Sequence, residues 1–339
     1  MRAYVVQGPG DHRLSDLDDP VPGRGEVLVA PAAVGICGSD LEVLDGRRPP
    51  EYVRYPVIPG HEWAGTVVAC GPGVTRPEPG TPVIAEGVRA CGTCARCAEG
   101  RNNLCTGPYA ETGFTHPGAL ASLVAVPAGL VHELPHDRPI APAALIEPAA
   151  CVATGLLEVG MPRAGTRLAV VGDGPLGLLA VALLRLASPR DLVLVGSRPA
   201  RTAFADRLGA TDTVLRDGVS ALRDGFDLVV DATNSGAGAA TALDLARRAG
   251  TVVLLGISGA GQPTVDADAI TLKHLRVQGV FAASRAAWQW LVSLYGAGLF
   301  DPAPLITHRF GLDRVDEAFA VLGDRSAAAV KVLVEPQGN

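Results

Sequence analysis

The chain has 339 residues, 48% of them hydrophobic and 19% charged, and a formal net charge of −6 at pH 7. This length predicts about two domains of ordinary size, and the composition is that of a globular protein and not of a disordered one. A small negative charge without blocks of like charge argues against nucleic-acid binding, which needs a basic surface.

The sequence shows neither a secretion signal nor a membrane segment. Its N-terminus, MRAYVVQGPG, lacks the basic stretch and apolar core of a signal peptide. The longest apolar run, residues 178–184, is far shorter than the roughly 20 residues of a membrane-spanning helix. The cysteines number seven, and four of them fall between residues 91 and 105, a pattern typical of metal ligation in a reducing compartment. We therefore expect a soluble cytoplasmic protein with no membrane partner.

The first 150 residues predict a β-rich domain. Short β-branched runs at residues 26–30, 65–69 and 122–126 are separated by glycines, prolines and other turn residues. Runs of this length and composition are typical of short strands joined by loops, and such loops are a common location for functional side chains.

From about residue 152 apolar strands alternate with helical patterns, which predicts a doubly wound parallel sheet with crossover helices. The predicted strands cover residues 167–172, 191–196, 213–216, 226–231, 251–256 and 276–281. The predicted helices at 201–208 and 239–248 end near Gly209 and Gly250, where a glycine cap would terminate them.

The alternation stops after about residue 285. The tail predicts helices at 286–295 and 312–322 and a strand at 328–334, and we expect it to complete the first domain. The sequence thus predicts an α/β protein with one domain from residues 1–151 and 285–339 and a second from residues 152–284.

A glycine-rich turn lies between the strand at 168–172 and the helical run at 178–186, and reads Gly172-Asp-Gly174-Pro175-Leu176-Gly177. A Gly-x-Gly-x-x-Gly string is weak evidence alone, but between a strand and a helix it is typical of a dinucleotide site. The three glycines would allow a tight turn, close approach of a pyrophosphate and close packing of the helix, whose N-terminus faces the phosphates. A plain turn between strand and helix is the alternative.

The next strand ends in Gly196-Ser197-Arg198, without the carboxylate that usually accepts hydrogen bonds from the ribose hydroxyls of NAD(H). An arginine binds phosphate oxygens through charge-assisted hydrogen bonds of about 1.5–3 kcal/mol. This favours NADP(H), with NAD(H) as the alternative if Arg198 only begins a solvated helix.

Four cysteines follow the spacing Cys91-x2-Cys94-x2-Cys97-x7-Cys105. Four thiolates close a tetrahedron around Zn²⁺ with no vacant position, so we predict a structural zinc in a lobe at residues 88–108. A nucleic-acid zinc ribbon would instead need two separated Cys-x-x-Cys pairs with basic and aromatic residues between them.

Three further segments hold residues of types that can bind metals: Gly-Ile-Cys37-Gly-Ser39-Asp40, Gly-His61-Glu62 and Glu147-Pro. One thiolate, one imidazole and one or two carboxylates suit a catalytic Zn²⁺ with an open position. Each segment alone is more typical of a structural role.

The order of these motifs resembles that of zinc-dependent medium-chain alcohol and polyol dehydrogenases over nearly the whole chain. Gly-x-Cys-Gly-Ser-Asp, Gly-His-Glu, the four-cysteine lobe, Glu-Pro and the glycine-rich turn follow one another as in that family. The most similar subgroup comprises threonine, sorbitol, glucose and aminocyclitol dehydrogenases. The resemblance implies a GroES-like catalytic domain and a Rossmann domain.

The resemblance also implies two zinc ions per chain. Cys37 and His61 would bind the catalytic zinc directly, Glu62 directly or intermittently, and Glu147 directly or through a water. Asp40 would orient the His61 ring.

Two hydroxyls also gain implied roles: Ser39 would relay a proton, and Thr154 would join the cofactor site. Glu42 stands where many relatives have the histidine that receives the relayed proton, so the end of the relay is open. Glu111 and His116 fall where relatives place loops that contact substrate, although we expect both at the surface.

The implied reaction is reversible hydride transfer between a secondary alcohol of a polyol, sugar or aminocyclitol and its ketone, with NADP(H) preferred. A broad-range NADPH-dependent alcohol dehydrogenase or carbonyl reductase is one alternative. A catalytically silent NADPH-binding sensor or scaffold is another, against which the intact Cys37, Ser39, His61 and Glu62 argue. We expect a homodimer or homotetramer, because relatives have these states.

Overall fold

The computed structural model describes residues 1–257, 265–324 and 327–338. The chain divides into two compact units, Met1–Glu147 with Ser284–Asn339, and Pro148–Ala283. The strands are β1 (Arg2–Gly8), β2 (Asp11–Asp16), β3 (Glu26–Ile36), β4 (Glu62–Cys70), β5 (Pro82–Ala85), β6 (Val124–Pro127), β7 (Val131–Glu133), β8 (Arg167–Val171), β9 (Asp191–Gly196), β10 (Asp212–Leu215), β11 (Phe226–Asp231), β12 (Ala246–Leu254), β13 (Arg276–Gly279), β14 (Ile306–Gly311) and β15 (Lys331–Glu335). The α-helices are α1 (Gly38–Leu44), α2 (Ala95–Ala98), α3 (Ile146–Val159), α4 (Pro175–Leu184), α5 (Pro199–Leu208), α6 (Gly236–Leu245), α7 (Ala267–Leu272), α8 (Arg285–Gly296) and α9 (Val315–Gly323).

The first unit is built around a mixed sheet with the order β14-β15-β3-β4-β5-β7, in which β6 also pairs with β3. The pairs that β3 makes with β4, β6 and β15 are antiparallel, as the short strands and turns of this region predict. Strand β3 is central, and its Val27, Val29, Val34 and Ile36 are fully buried. Burial of each such side chain contributes about 1.5–3 kcal/mol, so this strand is a rigid base for the residues that follow it.

The second unit contains a parallel sheet with the order β10-β9-β8-β11-β12-β13. The chain winds outward from β8 to β10 and then restarts beside β8 at β11, which is the predicted doubly wound topology. Residues 168–171 of β8 are all buried, as expected of a strand covered on both faces. The order reverses between β8 and β11, and ligands of such sheets bind at that switch point, beyond the carboxyl ends of the strands.

Most of the predicted elements are present, but the helix predicted at 239–248 is wrong at its C-terminal end. Helix α6 stops at Leu245, and Ala246 adopts an extended backbone and pairs with Phe226 at the start of β12. Gly250 therefore lies in a strand and caps no helix. Gly209, with a φ of +99°, does cap α5 as predicted.

One stretch, Ala141–Val159, is long and apolar enough by composition to cross a membrane. Because 72% of it is buried inside the protein, it is weak evidence for a membrane span and has the character of a core helix.

Candidate metal and cofactor sites

Two neighbouring strands bring Cys37, His61 and Glu62 together. Cys37 follows the last residue of β3 and caps the N-terminus of α1, while Glu62 begins β4 directly after His61. Gly35 of β3 is paired with Glu62 in the antiparallel register. One ligand atom from each of Cys37, His61 and Glu62 lies within 4.8 Å of the others. Thiolate, imidazole and carboxylate at this spacing fit a zinc ion with an open position.

Asp40 contacts two of these residues, Cys37 and His61. Its carboxylate is fully buried, and Oδ2 accepts a hydrogen bond of 2.9 Å from the Cys37 backbone N–H. Oδ1 lies 3.3 Å from Nδ1 of His61, in an ion-pair contact without hydrogen-bond alignment. Burial raises the pKa of Asp40, but His61 and the Cys37 N–H outweigh it and hold the pKa below its usual value. An ionised carboxylate beside Nδ1 fixes the imidazole and leaves Nε2 for a metal.

Glu62 has an ion-pair partner that the sequence analysis missed. Lys331 of β15 forms an ion pair with Glu62, and their side chains are only 3% and 1% exposed. A Cβ at residue 35 would lie 2.4 Å from Oε2 of Glu62 and 2.9 Å from Cε of Lys331. Glycine at position 35 therefore makes room for a buried ion pair beside the candidate metal site.

Glu147 lies near this cluster without belonging to it. Burial raises the pKa of Glu147 to about 8, against the opposing effect of the His61 charge. Its carboxylate is not among the atoms within 4.8 Å of one another, so the structure brings together three of the four predicted catalytic ligands. Its role as a ligand, direct or through water, stays a prediction.

The residues predicted for proton relay lie on α1. Ser39 is on the first turn of that helix, two residues after Cys37, and Glu42 is one turn further along; both are half-buried. Their roles stay predictions.

The expectation that Glu111 lies at the surface is wrong. Glu111 is only 9% exposed, accepts a hydrogen bond from the Tyr109 hydroxyl, and lies 3.8 Å from Nη2 of Arg48. The Arg48 guanidinium stacks 3.6 Å above the centre of the Phe114 ring, which is itself 4.7 Å from the His61 ring. A polar cluster thus adjoins the candidate metal site.

His116, the other residue that we expected at the surface, is half-buried. Its Nδ1 lies 3.2 Å from the Thr115 hydroxyl.

The four-cysteine lobe also fits zinc. Its sulfur–sulfur distances are 4.0 Å for Cys91–Cys97, 3.5 Å for Cys94–Cys97 and 4.0 Å for Cys94–Cys105. A tetrahedron with Zn–S bonds of about 2.3 Å has edges of about 3.8 Å. Backbone N–H groups of Thr106 and Cys97 lower the pKa of Cys94 to about 5 and so favour the thiolate that ligates metals.

The glycine-rich turn has the shape of a phosphate cradle. Gly172 has a φ of +116°, and a Cβ at Gly177 would lie 1.8 Å from the Gly172 carbonyl oxygen. Gly174 caps the N-terminus of α4, which begins with Pro175 and Leu176, and a Cβ on Gly174 would meet no atom within 4 Å. This open backbone before a helix N-terminus fits the pyrophosphate of a dinucleotide.

The turn from Gly196 to Arg198 lies beside the cradle and contacts a carboxylate that the sequence analysis missed. Asp173, only 3% exposed, accepts hydrogen bonds from the backbone N–H groups of Ser197 and Arg198 and from the Arg198 guanidinium. Thr154, also predicted for the cofactor site, is 4% exposed, and its hydroxyl donates to the Ala150 carbonyl oxygen at 2.8 Å. Its contact with the cofactor stays a prediction.

Comparison with known proteins identifies the family. Residues 23–136 match the alcohol dehydrogenase GroES-like domain, and residues 175–296 match the zinc-binding dehydrogenase domain. An L-threonine 3-dehydrogenase of Saccharopolyspora erythraea is 32% identical, over 99% of each chain. The chain belongs to the zinc-dependent medium-chain dehydrogenase family. The resemblance inferred from its motifs is confirmed.

Solved dehydrogenase structures confirm the predicted fold class. A zinc-binding dehydrogenase of Sinorhizobium meliloti 1021 bound to NADP has a TM-score of 0.92 and 30% identity, covering 99% of each chain. An alcohol dehydrogenase of Escherichia coli CFT073 complexed with NADH has a TM-score of 0.91 and 26% identity, again over 99% of each chain. Members of this fold thus bind either nucleotide.

Proposed function

We propose that this dehydrogenase interconverts a secondary alcohol and its ketone, that the alcohol belongs to a polyol, sugar or aminocyclitol, and that NADP(H) is the preferred cofactor. The observation that carries the proposal is the cluster of Cys37 with the buried His61 and Glu62, beside the buried Asp40. Such a ligand set leaves a coordination position for a substrate oxygen. The first unit would act as the catalytic domain and the second as the nucleotide-binding domain.

The reaction divides between bound groups and side chains. Cys37, His61 and Glu62 would hold a zinc ion, which would supply Lewis acidity, and a bound nicotinamide would supply the hydride chemistry. Asp40 fixes the imidazole of His61, and the Ser39 hydroxyl takes the alcohol proton and passes it outward. Lys331 balances the charge of Glu62, so the buried site carries less net negative charge than its carboxylates alone would give it.

The polar cluster next to His61 supports a hydroxyl-rich substrate. Glu111 and Arg48 are both largely buried, with side chains 12% and 14% exposed. Sites with buried polar groups disfavour substrates that cannot form hydrogen bonds with them. This favours a polyol, sugar or aminocyclitol over a plain aliphatic alcohol. Relatives named L-threonine 3-dehydrogenase make an amino alcohol a further candidate.

A substrate panel tests the reaction. Purified protein is assayed with polyols, sugars, aminocyclitols, L-threonine and simple secondary alcohols, and cofactor reduction is read by absorbance with NADP⁺ and NAD⁺ in parallel. We expect the highest kcat/KM with a hydroxyl-rich substrate and NADP⁺. Equal activity on simple alcohols would favour the broad-range alternative, and no activity with zinc-loaded protein would contradict the reaction.

We also propose a cytoplasmic homodimer or homotetramer. No disulfide joins any of the seven cysteines, all of which lie in the described residues, and this is typical of proteins in a reducing compartment. Strand β13 ends the order of the parallel sheet, and Leu272, at the end of α7, is 73% exposed. Open strand edges pair readily with a second chain. Light scattering on the purified protein would test this, with a monomeric mass as the contradicting result.

A further inference from the structure

The glycine-rich turn carries an acidic residue whose position bears on cofactor choice. Asp173 lies between the first two glycines of that turn, yet its carboxylate points to the end of the neighbouring strand β9. Oδ2 accepts hydrogen bonds from the backbone N–H groups of Ser197 (2.8 Å) and Arg198 (2.7 Å). Oδ1 accepts two more from the Arg198 guanidinium, from Nη2 at 3.0 Å and from Nε at 3.3 Å.

These contacts use the accepting capacity of the carboxylate. An ionised carboxylate has about four lone-pair positions, and residues 197 and 198 supply five donors, the fifth being the Ser197 hydroxyl at 3.4 Å from Oδ2. Burial raises the pKa of Asp173, but the Arg198 side chain and the Ser197 N–H outweigh it and hold the pKa below its usual value. Asp173 is therefore ionised and saturated, and it has no free position for the ribose hydroxyls of NAD(H).

The Arg198 guanidinium, in contrast, has N–H donors that Asp173 does not use. An arginine has five N–H donors, and Asp173 accepts from Nε and Nη2. Within the described parts of the chain, the Nη1 group of Arg198 has no hydrogen-bond partner, and the side chain is 39% exposed against 4% for Asp173. The inner edge of the guanidinium is fixed while its outer edge stays open to an anion.

The surrounding backbone is adapted to this arrangement. A Cβ at Gly196 would lie 3.3 Å from Oδ2 of Asp173, so the position where NAD(H) enzymes carry a carboxylate is here constrained to be small. Arg201 of α5 donates from Nη1 to the Asp173 carbonyl oxygen at 3.2 Å. Both the carboxylate and the backbone carbonyl of Asp173 thus connect its turn to the start of α5.

We infer that Asp173 is a positioning residue for cofactor selection, which holds the turn from Gly196 to Arg198 so that the outer edge of the Arg198 guanidinium meets the 2′-phosphate of NADP(H). Asp173 acts through Arg198 and need not touch the nucleotide. The inference rests on the proposed NADP(H) preference.

Direct nucleotide binding tests it without any substrate. The dissociation constants of NADPH and NADH are measured by fluorescence titration for the wild type, Asp173→Asn, Arg198→Ala and the double variant. Arg198→Ala should weaken NADPH about 10- to 150-fold, the range of a charge-assisted hydrogen bond. Asp173→Asn should weaken NADPH about 5- to 20-fold, leave NADH within about 2-fold, and add less than about 2-fold in the Arg198→Ala background. In Asp173→Asn, the KM for NADP⁺ should rise while kcat at saturating NADP⁺ stays unchanged.

Asp227→Asn is the matched control. Asp227 also accepts a backbone N–H, from Arg167 at 2.8 Å, and an arginine side chain, from Arg247 at 2.7 Å, but it lies at the start of β11. This variant should not change the NADPH to NADH ratio.

Three results would overturn the inference: equal weakening of both nucleotides by Asp173→Asn, tighter NADPH binding, or full additivity in the double variant. If Asp173→Asn does not fold, Arg198→Lys takes its place, because it keeps the charge and loses the two-nitrogen contact. If Arg198→Lys weakens the binding of NADPH by less than about 2-fold, the inference would also be overturned.

Outcomes for the wild type bear on the proposed function instead. A wild type that prefers NADH would contradict the proposed cofactor, and a wild type that binds NADPH but oxidises no alcohol would contradict only the proposed reaction.

Discussion

The two candidate metal sites of this dehydrogenase differ in how the chain builds them. The four-cysteine lobe draws its ligands from residues 91–105, and its sulfurs lie on a partly exposed loop. The other site joins Cys37 with His61 and Glu62 through the register of β3 and β4, and the latter two are buried. The lobe is a local structure, whereas the buried site exists only when the sheet is complete.

The two sites also differ in how they balance charge. The sulfurs of the lobe accept hydrogen bonds from backbone N–H groups, such as that of Cys91 on Cys105 Sγ at 3.3 Å. At the buried site, Asp40 and Glu62 face His61 and Lys331. The Glu62–Lys331 ion pair is a charge arrangement held by the fold itself, as electrostatic catalysis requires. The lobe is suited to holding structure, and the buried site to chemistry.

The largest effect should come from breaking the lobe. Cys94→Ser removes one of four thiolates, and structural zinc contributes about 10–16 kcal/mol in zinc-finger peptides, so folding or assembly should suffer strongly. The melting temperature and zinc content should fall, while the correctly folded fraction keeps its kcat. A well-folded variant that has lost its activity would contradict the structural assignment.

A change at Ser39 should affect chemistry and leave structure intact. Ser39→Ala removes the proposed proton-relay hydroxyl and should lower kcat by about 10²- to 10⁴-fold. Zinc content and melting temperature should match the wild type, because Ser39 is not a ligand. Turnover close to that of the wild type would remove Ser39 from the mechanism.

The ion pair behind the buried site is testable by charge removal. Lys331→Met leaves the Glu62 carboxylate buried without its cation and should destabilise the protein by about 3–5 kcal/mol. Adding Glu62→Gln should recover part of that stability without recovering activity. Urea unfolding measures both, and a Lys331→Met variant as stable as the wild type would show that the pair contributes nothing.

The smallest predicted effect concerns Gly35. Gly35→Ala places a methyl group where Glu62 and Lys331 lie and should cost about 1–3 kcal/mol through overpacking. Gly8→Ala, in strand β1 with no atom within 4 Å of its added Cβ, is the matched control and should be nearly neutral. Equal effects of the two substitutions would mean that the space at residue 35 is not needed.

Features set by short-range spacing were predictable from the sequence. The cysteine lobe has its four cysteines within fifteen residues and the glycine-rich turn is a run of six, so residue spacing alone was enough to recognise both. The candidate metal site at Cys37, His61 and Glu62 has its residues in separate segments, and its prediction depended on the resemblance to a family. The end of α6 at Leu245 was missed because the pairing of Ala246 with Phe226 is a tertiary contact that overrides local helical pattern.

Contacts between side chains far apart in the sequence were also missed, because no local pattern indicates a tertiary contact. Lys331 lies 269 positions after Glu62, and no local pattern links them. Asp173 and Arg198 are 25 residues apart, and the acidic residue inside the glycine-rich turn was the one available signal. Glu111 was expected at the surface because charged residues usually lie there, but Tyr109 and Arg48 satisfy its buried carboxylate.

Zinc content in the wild type and in Cys37→Ala, measured by mass spectrometry of the metal alongside turnover, tests the central claim most directly. We predict two zinc ions per chain in the wild type, one in Cys37→Ala, an unchanged fold, and turnover lowered by at least about 10³-fold. One zinc ion in both proteins, or a Cys37→Ala variant that keeps its turnover, would contradict a catalytic zinc at this site.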